Sequence, residues 1–154
     1  MVDNSELGPR ELKMTVLATP DMVNFSGNIH GGAVLKLLDQ VAYCCAVQYS
    51  KQYCVTLAVE RVVFMGPIHV GELVTFLALV NYVGRTSMEI GIKVISGAPK
   101  ENTVRHVVSC FFTMVAVDEQ RKPTIVPSFT PKSPEEIRRW EKAKLRRKNG
   151  VKIP

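Results

Sequence analysis

Long hydrophobic runs are absent from this chain. The longest apolar stretch, residues 33–47, is broken by Lys36, Asp39, Gln40 and Tyr43. It is too short and too polar to span a bilayer, and the first residues do not resemble a signal peptide. A cytoplasmic protein with no membrane insertion is the expectation. Cysteine is scarce. Cys44, Cys45, Cys54 and Cys110 are the whole complement, and no spacing among them matches a zinc site or a redox pair. Buried, reduced thiols are expected. The three histidines, His30, His69 and His106, form no metal-ligand cluster, so no metal is expected. Aromatic residues make up only 7% and do not interleave with basic residues on any strand-like run, which argues against a nucleic-acid surface.

What is present fits one folded domain over residues 1–154. Apolar residues at 46% and charged residues at 22% exclude wholesale disorder. A chain of this length buries a sufficient core without disulfides. The net charge of +6 is unevenly placed. Residues 130–154 hold nine Lys or Arg and three Glu, whereas residues 1–129 are balanced. A basic tail suits nucleic acid, an anionic membrane or a phosphorylated small molecule; equally, it suits a solvated helix.

Periodicity places the elements. Residues 1–9 read as a short polar arm and residues 10–18 as a first strand. Pro20, Asp21, Asn24, Ser26, Gly27 and Asn28 mark residues 19–28 as a loop. Residues 31–48 form the strongest helix, with apolar side chains around most of its circumference, so the rest of the fold should enclose it. Four long strands follow over residues 54–65, 72–83, 87–95 and 104–117, separated by short turns that favour antiparallel pairing. In the second of these, Leu73, Leu77 and Leu79 alternate with Val74, Phe76 and Val80, so both faces are apolar. One can cover the helix. The other asks for a partner subunit. Ser133-Pro134-Glu135-Glu136 is a capping box that opens a basic helix over about residues 133–148. The fold class is α+β: a long antiparallel β-sheet wrapped around one central helix, plus a C-terminal helix.

The chemistry concentrates in residues 24–32 and in the helix they lead into. Gly31 and Gly32 each cost the helix about 1 kcal/mol relative to alanine. That cost is explained if a substrate must approach the amides at the helix start, where a carbonyl becoming an oxyanion finds donors. A tight turn that needs glycine for sterics is the other reading. Asp39 is one of two charged residues between Gly31 and Ser50. It is either a base that activates water or a structural acid bonded across an interface. His30 suits a cap or a substrate contact, and Asn24 suits a turn or a group that positions water or polarises a carbonyl. Asp39 lies eight residues beyond Gly31, roughly 12 Å along a helix. A reacting carbon needs both groups within about 3 Å. If both act, they come from different subunits.

The run Asn24 to Gly32, the helix with Asp39 and the stretch Arg85-Thr86-Ser87-Met88-Glu89-Ile90 together resemble a hotdog-fold acyl-CoA thioesterase. The similarity is to the YciA type and to the brain and brown-fat acyl-CoA hydrolases. It extends over about residues 8–148, including Arg139-Trp140-Glu141-Lys142-Ala143-Lys144. It implies a hotdog core over about residues 8–126 and hydrolysis of fatty acyl-CoA to a free acid and CoA, with no cofactor. It implies a homodimer, the double hotdog, and a trimer of such dimers. It assigns Asp39 as general base or water-orienting group, Asn24 as holder of water or carbonyl, and the amides near Gly31 and Gly32 as the oxyanion hole. His30 stands beside them. Arg85, Thr86 and Ser87 are candidates for binding CoA, whose phosphates ask for cations. The competing readings are a hydratase or dehydratase of acyl thioesters, which would lean on His30, and a non-catalytic CoA- or nucleotide-binding module.

Overall fold

The computed structural model describes residues 8–150; most of the polar arm and the last four residues lie outside them. The elements are β1 (Glu11–Leu17), α1 (Gly31–Ser50), β2 (Cys54–Phe64), β3 (Leu73–Val83), β4 (Ser87–Gly97), β5 (Arg105–Ala116) and α2 (Pro134–Asn149), with a 3-10 turn at Pro20–Met22. The five strands make one antiparallel sheet in the order β1-β3-β4-β5-β2. Helix α1 runs to Ser50, two residues beyond expectation, because Lys51 takes a left-handed conformation and returns its amide to Val47 O.

The sheet curls around α1, as the sequence pattern required. Phe76, Ile90, Phe112 and Met114 form the inner face with alternate strand residues, and Val34, Leu38, Val41, Ala42, Cys45 and Ala46 meet them from the helix. Burial of this apolar surface drives the arrangement. This is the hotdog plan, with α1 as its filling.

Two expectations need correction. The outer face of the sheet is not left wholly to a partner, because α2 lies across part of it. Ala143 is fully buried there, and the Trp140 ring lies 4.5 Å from Tyr82 and 5.0 Å from Phe129. Arg146 donates to both carboxylate oxygens of Glu89 (3.0 and 2.6 Å) while its guanidinium covers the Phe111 ring at 3.7 Å. The basic helix is thus a packed element, started by the expected capping box at Ser133 and Glu136. A cavity of about 1180 Å³ remains between α2 and the sheet, floored by Leu77, Leu79 and Phe111 and edged by Lys13, Lys93 and Lys142.

Nor is α1 enclosed on every side. Leu35, Lys36, Asp39, Gln40, Tyr43 and Cys44 are exposed. Beside them the edge strand β2 exposes Val55, Leu57, Val59, Val63 and Phe64. An all-round apolar helix reads as buried, but one chain supplies only one sheet to cover it. Cys44 on the open side is therefore exposed, unlike the other three thiols, and no disulfide forms. Burial pushes the Cys45 and Cys110 thiols up to about 12.

The end of the sheet is locked by Glu72, a residue only 7% exposed. Burial raises its carboxyl, but hydrogen bonds from Arg105, the His69 amide and Ser96 Oγ, with the charge of Arg105, outweigh that effect and hold it down to about 2. A pKa depressed on folding gives stability that is present above the unfolded value of 4.5 and lost as pH falls toward 2. Urea midpoints of the wild type and Glu72→Gln should therefore differ at neutral pH and converge between about pH 5 and pH 2. A gap that persists at the acid end contradicts this account.

Candidate active site

The loop before α1 is shaped by its own polar side chains. The carboxamide oxygen of half-buried Asn24 accepts from Ser26 N–H (2.9 Å), Ser26 Oγ–H (2.8 Å) and Asn28 N–H (3.3 Å). This is the side-chain turn that Asn forms readily. Gly27, at φ +84°, takes the left-handed position that the turn requires. With its oxygen committed, Asn24 presents its NH₂ group as the side-chain end available to donate to a carbonyl or a water.

His30 is the N-cap of α1. Its Nδ1 accepts the Gly32 amide at 2.9 Å, so in the neutral ring Nε2 carries the hydrogen. The close approach explains Gly32, since a Cβ there would stand 3.1 Å from Nδ1. Gly31 has no such crowding: a Cβ would lie 3.6 Å from the Phe64 ring. The Ala33 and Val34 amides donate to His30 O. Among the described residues, the Gly31 amide alone of the first four in the helix has no acceptor. The amide free to donate at this helix start is therefore Gly31 N–H, with Gly32 N–H held by the cap.

Asp39 lies two turns on, on the open face of α1. Thr56 Oγ donates to Asp39 Oδ1 at 2.6 Å and fixes one carboxylate oxygen, leaving Oδ2 without a hydrogen-bond partner among the described residues. Asp39 is thus exposed within the single chain, where an all-round apolar helix suggested enclosure. Sequence reasoning missed Thr56. Its only signal was a hydroxyl in an otherwise apolar stretch of β2, and no local rule pairs residues 17 apart across a helix and a strand.

The candidate site residues fall into two groups. Backbone bonds from Ile29 N–H to Ile68 O and from Ala18 N–H to Glu72 O place the 24–32 region by the Leu73 end of β3. Arg85, Thr86 and Ser87 form the turn at the Val83 end, about 35 Å away at the rise of an extended strand. Asp39 lies about 12 Å along α1 from Gly31 and leans toward that second end, because its partner Thr56 pairs with Met114, which pairs with Met88. Arg85 is exposed there; Thr86 and Ser87 are buried, and Ser87 Oγ accepts from Arg147 at 2.7 Å. The structure therefore joins Asn24, His30, Gly31 and Gly32, and separately groups Asp39, Thr56 and the Arg85 turn. Among the described residues no three His, Cys, Asp or Glu side chains gather to hold a metal ion, and no helix is long and apolar enough to cross a membrane.

A family model for the thioesterase superfamily matches residues 26–102, which take in the loop from Ser26 onward, the helix and the Arg85 turn, with Asn24 just outside the match. The chain belongs to the thioesterase superfamily. It is 51% identical over 138 residues to Protein VdlD of Helicobacter pylori, covering 90% of this chain and 78% of that protein. Among solved structures, it is similar to an acyl-CoA hydrolase from Bacillus cereus, with a TM-score of 0.86 at 30% identity over 92% of this chain and 86% of that one. An apo-hexameric acyl-CoA thioesterase gives the same TM-score at 34% identity, covering 90% of this chain and 89% of that one. The hotdog architecture of this superfamily member is thus shared over nearly its whole described length.

The capping role of His30 in this thioesterase-superfamily chain is directly measurable. His30→Ala should lower unfolding free energy by about 1 kcal/mol, as loss of a good N-cap does. His30→Asn, which restores a favoured cap, should recover most of it. Equal stability of all three proteins in urea contradicts the cap.

Proposed function

We propose that the protein hydrolyses the thioester of fatty acyl-CoA, at sites assembled from two copies of the chain. The observation that carries this reading is the division of the chemical groups: an anchored carboxylate, Asp39 on Thr56, lies about 12 Å along α1 from the free donors, Asn24 NH₂ and Gly31 N–H, at the helix start. A two-fold axis brings unlike ends together twice, which makes two equivalent sites. The exposed apolar face of α1 and the β2 edge supply the surface for that contact. The hexameric thioesterase that the chain resembles supports a further step, a trimer of dimers.

In this site a water held by Asp39 attacks the thioester carbonyl carbon and gives its proton to the carboxylate. The developing oxyanion accepts from Asn24 and Gly31 of the other subunit. The tetrahedral intermediate then expels the CoA thiolate, and the proton passes from Asp39 to sulfur. Thiolate is a good leaving group, so the step calls for no metal. The exposed Arg85, at the turn with Thr86 and Ser87, meets the phosphates of CoA. The Gly32 amide takes the Nδ1 lone pair of His30, which leaves Nε2–H to donate and no ring lone pair to serve as the base of a hydratase.

Thiol release from acyl-CoA, followed with a thiol-reactive dye, tests the reading. Asp39→Ala should lower turnover at least about a hundredfold, and near-wild-type turnover rejects the mechanism. The shared site has its own test. Asn24→Ala and Asp39→Ala chains, each inactive alone, should recover about a quarter of wild-type activity when refolded together, since about half the dimers are mixed and each holds one intact site. No recovery in verified mixed dimers rejects the two-subunit arrangement.

A further inference from the structure

The loop that carries Asn24 is tied to the sheet through a series of hydrogen bonds. Asn28 closes the Asn24 turn from its far side: Asn24 N–H donates to Asn28 O at 2.8 Å, and Asn28 N–H donates to Asn24 Oδ1 at 3.3 Å. The carboxamide oxygen of Asn28 lies 3.1 Å from His69 Nδ1. That oxygen only accepts, so the ring donates its Nδ1 hydrogen.

His69 belongs to the connection between β2 and β3, and one residue grips its backbone from both sides. Its amide donates to Glu72 Oε2 at 3.0 Å, and its carbonyl accepts the Glu72 amide at 3.2 Å. The Glu72 carboxylate also accepts two bonds from Arg105 (3.0 and 3.1 Å) and one from Ser96 Oγ (2.8 Å). An unbroken series therefore runs from the locked end of β4 and β5 through Glu72, His69 and Asn28 to Asn24. The other backbone ties of this loop to neighbouring segments are Ile29 N–H to Ile68 O and, through the Val23–Ile29 bridge on the near side of Asn24, His30 N–H to Met22 O. On its far side Asn24 is followed by the exposed residues 25–27, and Asn28 closes them.

We propose that His69 is a positioning residue for the thioester reaction: its imidazole, set by the Glu72–Arg105 pair, holds Asn28 and through it directs the Asn24 amide. The inference rests on the reading above, in which Asn24 meets the thioester carbonyl. A donor aimed at a developing oxyanion tolerates little error, because a displacement of about 1 Å costs on the order of a hundredfold in rate. Misdirection of a group that acts in the transition state lowers kcat more than it raises KM.

The side-chain geometry offers a discriminating set of variants. An Asn side chain places its NH₂ near the position of His Nδ1, whereas Gln places it farther out, near Nε2. His69→Ala, His69→Gln, His69→Asn and Asn24→Ala are compared by acyl-CoA thiol release and by thermal unfolding. His69→Ala and His69→Gln should lose about tenfold or more in kcat with little change in KM or Tm, and His69→Asn should restore most of kcat. Full kcat in His69→Ala, with Asn24→Ala inactive, overturns the positioning role and leaves the thioesterase reading standing. An equal loss in all three His69 variants also overturns it. Wild-type turnover in Asn24→Ala overturns the reading beneath it.

Discussion

The rise of an α-helix governs how this fold can work. Gly31 and Asp39 share one straight helix, and about 12 Å of backbone separates them. No side-chain rotation brings an aspartate carboxylate back across two turns to the helix start. The sheet repeats the separation, since Thr56 and the Arg85 turn belong to one end and the 24–32 loop to the other. One chain thus holds all the groups the proposed reaction needs, at a spacing that prevents it from using them together. The two-fold pairing proposed above would resolve this without changing any element.

The same constraint accounts for the surface. A single sheet can wrap only part of a 20-residue helix, so the rest of α1 stays open beside an edge strand rich in valine and leucine. Unpaired, apolar strand edges invite association, and proteins that keep one generally have a use for it. The outer face has a different solution. There α2 supplies its own cover, using Trp140, Ala143 and an arginine that serves as both ion-pair partner and aromatic cap. Part of the charge gathered in the last helix therefore has a packing role. The basic side chains tie the helix down through Glu89 and Ser87 as well as meeting solvent.

Precision at the helix start comes from polar bonds, because glycines give no packing. Asn24 spends its oxygen on its own turn, His30 spends Nδ1 on Gly32, and Gly31 keeps an amide without an acceptor. Each commitment fixes what remains free. The buried Glu72 network extends this order to the neighbouring connection, where an exposed loop would otherwise be soft.

Much of this was written in short-range pattern. Period 3.6 marked α1, apolar runs bounded by turn residues marked the strands, and the Ser133 box marked the start of α2, because these signals arise from residues a few positions apart. The loop with Asn24, His30 and paired glycines announced itself for the same reason, and the spacing of Gly31 and Asp39 already asked for two chains if both act in one site. Which residues meet across the fold was a different matter. The Thr56 bond to Asp39, the placement of α2 on the outer face, the open side of α1 and the path from Glu72 through His69 to Asn28 all join segments distant in sequence. Such pairings depend on how the sheet curls and where its register falls, and these are set by packing the whole core at once.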